Sequence, residues 1–146
     1  MQKFSRDSFN VTKAINELMH ESGVIVIENA YNLNDIKEAR EIINYYAETQ
    51  EQKETHFNAE AEANDKIKLQ QRIWNLFGKG EVFSKLITND IIFSLMSKLL
   101  GSEFFCGSYC ASRLLPGSLG QELHIDYPYW DFYNSETFPM GLNSSF

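Results

Sequence analysis

The segment Gln121-Glu122-Leu123-His124-Ile125-Asp126 holds the residue types best suited to chemistry in this chain of 146 residues. In an extended strand successive side chains alternate between faces, so His124 and Asp126 point one way and Ile125 the other. One imidazole and one carboxylate on a shared face can grip a single metal ion. They are two members of the 2-His-1-carboxylate set that holds iron(II) and leaves positions open for O2 and a co-substrate. The set needs a second histidine, and the sequence offers only His20 and His56, both far upstream. His56 sits in a polar stretch and reads as solvated, so it is not assigned as the third ligand. The plain alternative is a hydrogen bond between His124 and Asp126 with no metal.

The flanks add context. Arg113-Leu114-Leu115-Pro116-Gly117-Ser118 precedes the motif and Tyr127-Pro128-Tyr129-Trp130 follows it. This order predicts an apolar strand, a Pro-Gly turn, the His-x-Asp strand and an aromatic cluster in succession. Gln121 is either an amide that orients a metal ligand or a surface turn residue. Arg113 is a lone cation in an apolar strand; it either receives a substrate or co-substrate carboxylate by paired hydrogen bonds, or is an edge-strand charge. Tyr127, Tyr129 and Trp130 either line a substrate cavity or cover the sheet as core. Asn143, in the last strand-like segment, is placed to face the co-substrate.

The elements that position these residues read as follows. Val11, Ile15, Leu18 and Met19 recur at helical spacing within 10–22, and Gly23 stands where a helix end favours a left-handed residue. Val24 to Glu28 is a continuous β-branched run, as expected of a buried strand. Asn34 offers a cap to a second helix whose stripe is Ile36, Ala39, Ile42, Ile43 and Tyr46. The acidic stretch 48–65 reads as a solvated helix extension and loop, or as an active-site lid. Residues 67–77 are strand-like with imperfect alternation. Asn89 caps a helix carrying Ile92, Leu95, Met96, Leu99 and Leu100 and closed by Gly101, and strands follow from Phe104. Helices first and antiparallel strands later predict one α+β domain.

The stretch from Ala111 to Trp130 resembles the phytanoyl-CoA dioxygenase family of iron(II)/2-oxoglutarate oxygenases, in which a Pro-Gly turn leads into the His-x-Asp. Arg72-Ile73-Trp74-Asn75-Leu76, the N-terminal helix and the strand Gly23-Val24-Ile25-Val26-Ile27 also look like that family. The likeness covers nearly the whole chain, and its specific part is the His-x-Asp segment. The resemblance implies a double-stranded β-helix, or jelly roll, buttressed by helices on one side, with residues 1–146 as a single domain. It implies that His124 and Asp126 hold Fe(II), that 2-oxoglutarate and O2 are the co-substrates, and that a small organic molecule is hydroxylated. Related halogenases have a small residue where Asp126 stands, so the carboxylate favours hydroxylation. In the family a distal histidine and a 2-oxoglutarate-anchoring arginine follow the His-x-Asp, whereas this chain has no His after His124 and no Arg after Arg113. A jelly roll needs about eight strands, and alternation reveals about five. The expectation is therefore the N-terminal part of a longer gene product, a fragment inactive by itself.

Composition narrows the alternatives. A net charge of −7 with no basic block removes the electrostatic drive to nucleic acid. No apolar run approaches the roughly 20 residues that cross a bilayer, and the first residues lack a signal-peptide core. The expected setting is cytoplasmic, with a small-molecule partner and no membrane. Cys106 and Cys110, read as part of one strand, would stand about 13 Å apart, too far for a disulfide, which predicts buried, inert thiols. A different class of function stays open: an iron-free jelly-roll binding module whose Tyr127, Tyr129 and Trp130 stack on a sugar or apolar ligand.

Overall fold

The computed structural model describes residues 1–50 and 69–120. Among them helices and strands mix as in an α+β protein. They fall into two compact units, the first comprising Met1–Ile36 and Ser84–Phe105, the second the described parts of Lys37–Phe83 and Cys106–Asp126. No helix among the described residues is long and apolar enough to cross a membrane.

The first unit starts with β1 (Gln2–Ser5), a strand too short to show a pattern in the sequence. It pairs in parallel with β2 (Ile25–Glu28), from Gln2 opposite Ile25 to Ser5 opposite Glu28. A parallel pair requires a crossover, and α1 (Val11–His20) supplies it. The Asn10 side chain starts α1 by accepting from the Lys13 N–H at 2.9 Å. After the helix, Gly23 takes φ +73° and donates its N–H to the Glu17 carbonyl at 3.2 Å, the left-handed ending anticipated from the glycine. Ile25, Val26 and Ile27 are half-buried, which corrects the fully buried strand expected from their β-branched run. The reason is position: among the described residues β2 has β1 as its only strand neighbour and lies at a sheet edge.

Apolar packing in this unit centres on Phe4, Ala14 and Leu95, with Phe9, Val11, Ile15, Leu18, Ile25 and Leu99 against them. Full burial of a side chain the size of Phe or Leu contributes about 1.5–3 kcal/mol. Leu95 comes from α4 (Asp90–Leu100), which Asn89 caps through its Oδ1 to the N–H groups of Ile91 and Ile92. The same Asn89 donates its Nδ2 to the Ala30 carbonyl at 2.8 Å, and Arg6 donates Nη1 to that oxygen at 2.6 Å. One carbonyl thus fastens the helix start and the end of the first strand together.

Helix α2 (Leu33–Thr49) begins earlier than the sequence suggests, because Asn32 rather than Asn34 caps it, accepting the Asn34 N–H at 2.8 Å. In the second unit the buried apolar side chains among the described residues are Ala39 and Ala47 of α2, Ile73, Leu76, Val82 and Phe83. Ile73 ends β3 (Gln70–Ile73), which occupies only part of the strand expected over 67–77. Asn75, at φ +54°, turns the chain out of the strand into a single 3-10 turn, Leu76–Gly78. A short helix α3 (Glu81–Ile87) follows that the apolar periodicity did not reveal. The strand predicted from Phe104 forms only as β4 (Ala111–Leu114). Tyr109 explains the delay: its carbonyl accepts from Leu76 N–H at 3.2 Å, its hydroxyl donates to the Phe83 carbonyl at 3.1 Å, and its ring meets those of Phe77 and Phe83 edge-on. The chain before it is held by a bend at Gly107, not by a ladder. Cys106 is accordingly exposed and Cys110 half-buried, which corrects the expectation of two buried thiols. Most of the acidic stretch, including His56, lies outside the described residues.

Candidate functional site

Strands β3 and β4 pair antiparallel with Gln70 opposite Leu114, Gln71 opposite Arg113, Arg72 opposite Ser112 and Ile73 opposite Ala111. Residues directly opposite share a face and neighbours along a strand do not. Gln70, Arg72, Ser112 and Leu114 therefore lie on one face, and Gln71, Ile73, Ala111 and Arg113 on the other. The first face bounds a cavity of about 170 Å³, whose wall also takes in Gln71 and is completed by Leu119 and Gly120.

The Pro-Gly turn anticipated from the sequence brings those last two residues to the cavity. Ser118 N–H bonds the Leu115 carbonyl at 3.0 Å, and Gly117 has φ +87°. With Pro116 ahead of it, this is a type II turn, in which only a residue tolerant of positive φ fits the third position. Beyond the turn the Leu119 carbonyl accepts from Gln70 Nε2 at 2.6 Å, a bond from a side chain that is only 7% exposed. Leu115 N–H bonds the Leu69 carbonyl at 2.8 Å and extends the ladder toward the turn.

Arg72 gives the cavity wall its charge, the other wall residues being uncharged. Its guanidinium carbon lies 5.3 Å from the centroid of the Trp74 ring, a cation–π stack that holds the group in place. A guanidinium on a wall otherwise made of amide, hydroxyl and leucine suits a small organic anion, because it can donate two parallel hydrogen bonds to one carboxylate.

The opposite face is structural. Gln71 donates Nε2 to the Ala47 carbonyl of α2 at 3.1 Å, while its Oε1 is buried with no hydrogen-bond partner among the described residues. Arg113 reaches Glu48 at 3.4 Å, its side chain 31% exposed. Arg113 pairs with Glu48 of α2 and is not among the residues that line this cavity. Arg72, quoted in the sequence only for a family likeness, is the cation on the cavity side. Gln70 and Ser112 join it there. The signal for all three was strand parity, hidden by the imperfect alternation of 67–77.

His124, Asp126, Gln121, Tyr127, Tyr129, Trp130 and Asn143 lie outside the described residues. His20 ends α1 in the first unit and is exposed. Among the described residues no three His, Cys, Asp or Glu side chains gather as a metal site. The chain matches no family model and no curated protein.

Proposed function

We propose that the chain belongs to a non-haem iron(II)- and 2-oxoglutarate-dependent dioxygenase that hydroxylates a small organic molecule, built on a jelly roll. The observation that carries this reading is the turn at Leu115–Ser118, which returns the chain to the wall of a cavity lined by Arg72 and does so four residues before His124. Four residues reach at most about 14 Å, so a ligand pair at 124 and 126 and a wall at Gly120 can serve one centre.

The donor set suits the metal: imidazole and carboxylate are the ligands that iron(II) takes in oxygenases with open positions. Bound iron would supply the activation of O2 and the oxidative decarboxylation of 2-oxoglutarate, chemistry that belongs to the cofactor. The protein's own residues have simpler tasks. His124 and Asp126 hold the metal. Arg72 sets positive charge against a carboxylate of the co-substrate or substrate, and Leu114 and Leu119 give that molecule an apolar surface. Gln70 fixes the Leu119 carbonyl, and with it the path of the chain toward the ligands. Gln121 is placed in the sequence to orient a ligand, and Asn143 to face the co-substrate. Tyr127, Tyr129 and Trp130 are the aromatic side of the substrate pocket.

With one histidine in the ligand pair and the third ligand unassigned, the 146-residue chain binds iron weakly and does not turn over. Anaerobic titration of the chain with Fe(II), with and without 2-oxoglutarate, tests the reading. Saturable binding that His124→Ala removes supports it. Binding of a sugar or apolar ligand that survives His124→Ala, with no iron uptake by either protein, replaces it with the binding-module reading.

A further inference from the structure

Cys106 and Cys110 take no part in the proposed site, and their surroundings give them a chemistry of their own. Both are free thiols, Cys106 exposed and Cys110 half-buried. Along a straight strand their Cα atoms would be about 13 Å apart, beyond what a disulfide spans. The segment is not a strand. It bends at Gly107, where an added Cβ would meet nothing within 4 Å, so no described group packs against the glycine on that side. Across that bend the Cys106 Sγ lies 3.4 Å from the Ser108 carbonyl oxygen, so the sulfur is turned along the chain toward Cys110. Covalent geometry then keeps it within roughly 10 Å of the Cys110 Cα.

The two ends of this loop are held differently. Tyr109 is clamped through its carbonyl, hydroxyl and ring, and Ala111 enters β4 opposite Ile73, so Cys110 sits between two fixed points. Cys106 is bound only through the thiol contact to Ser108, among the bonds of the described residues. An accessible thiol beside a sheltered, anchored one is the arrangement in which the first is oxidised and the second resolves it.

We propose that Cys106 and Cys110 are a peroxide-responsive thiol pair that closes reversibly into a disulfide across the Gly107 bend. The Cys106 sulfur attacks one oxygen of hydrogen peroxide; the O–O bond breaks, and the leaving hydroxide takes the thiol proton as water. The Cys110 sulfur then attacks the resulting sulfenic sulfur; the S–S bond forms as the S–O bond breaks, and a second water leaves with the Cys110 proton. Two thiols lose two electrons and one peroxide gains them. Closure ties the segment entering β4 to the loop before it.

The test is intact-mass and thiol-alkylation analysis of the whole chain after treatment with equimolar hydrogen peroxide. The expected result is loss of the mass of two hydrogen atoms, protection of both thiols from iodoacetamide, and full reversal by dithiothreitol. In Cys110→Ser, Cys106 should stop at the sulfenic acid and be trapped by dimedone. In Cys106→Ser, peroxide consumption should slow about tenfold, as the exposed thiol is gone. Retention of both alkylatable thiols, a disulfide only between chains, or equal dimedone trapping in the native chain and Cys110→Ser would overturn the proposal.

Discussion

Arg72 and Ser112 stand directly opposite each other across β3 and β4 on the face that bounds the cavity, while the next pair along the ladder, Gln71 and Arg113, faces the other way toward α2. The two arginines are therefore not equivalent. Arg72→Ala should weaken anaerobic 2-oxoglutarate binding about tenfold to a hundredfold, the range set by hydrogen bonds to a charged group. Arg113→Ala should leave that affinity unchanged and shift stability by no more than about 1 kcal/mol, as expected for a partly exposed ion pair. Calorimetric titration of both variants checks this, and a larger affinity loss from Arg113→Ala would reverse the assignment of faces.

Gly80 is a point where the backbone runs close to a side chain. A Cβ there would lie 2.8 Å from Ile42 Cδ1, well inside normal contact. Gly80→Ala should cost only about 0.5–1.5 kcal/mol, because the atom in the way ends a flexible side chain that can turn aside. Removing the offending methyl should relieve part of this, so the double variant with Ile42→Val should be less destabilised than the sum of the two single changes. Urea unfolding of the four proteins measures the coupling.

Asn89 serves two elements at once, capping α4 with its oxygen and holding the Ala30 carbonyl with its nitrogen. Asn89→Ala should destabilise by about 1–2 kcal/mol, the range for loss of a helix cap. Asn89→Asp keeps the cap oxygen and loses the donor, so it should fall between the two in thermal unfolding.

Glu17 gives the first unit a dependence on pH. The Ser22 hydroxyl, donated at 2.6 Å, pulls its carboxyl below the ordinary value of 4.5, with partial burial opposing and the Met1 ammonium at 3.5 Å assisting. A carboxyl whose pKa is lowered on folding stabilises the native state above the unfolded pKa and loses that contribution as pH falls through the lowered native one. Glu17→Gln should therefore be less stable than the native chain at neutral pH, and the difference should fade as the pH drops below 4.5. Denaturant midpoints across that range give the comparison.

The features legible in the sequence are those governed by near neighbours. Asn10 and Asn89 as caps, Gly23 and Gly101 after helices, and the Pro116-Gly117 turn all follow from local side-chain and backbone chemistry. Asn34 reads as the cap of α2 in the sequence, but Asn32, two residues earlier, takes that place by accepting the Asn34 N–H. What depended on distant pairing was hidden. Strand β1 exists because Gln2–Ser5 meets β2 across a helical crossover, and no pattern within four residues announces that. The site divides in the same way. His124 and Asp126 stand out by type and spacing, whereas Arg72 joins the cavity only through its register with Ser112, forty residues later. Cys106 and Cys110 were misjudged for a related reason: the apolar run 104–110 has strand composition, but Tyr109 spends its hydrogen bonds on Leu76 and Phe83 and no ladder forms there.

The most direct test of the iron reading is equilibrium binding of Fe(II) without oxygen to the native chain, His124→Ala and Asp126→Ala, each checked for an unchanged circular dichroism spectrum. The account predicts weak, saturable binding by the native chain, lost in His124→Ala and strongly reduced in Asp126→Ala. Equal iron binding by all three proteins, or none by the native chain, would contradict it.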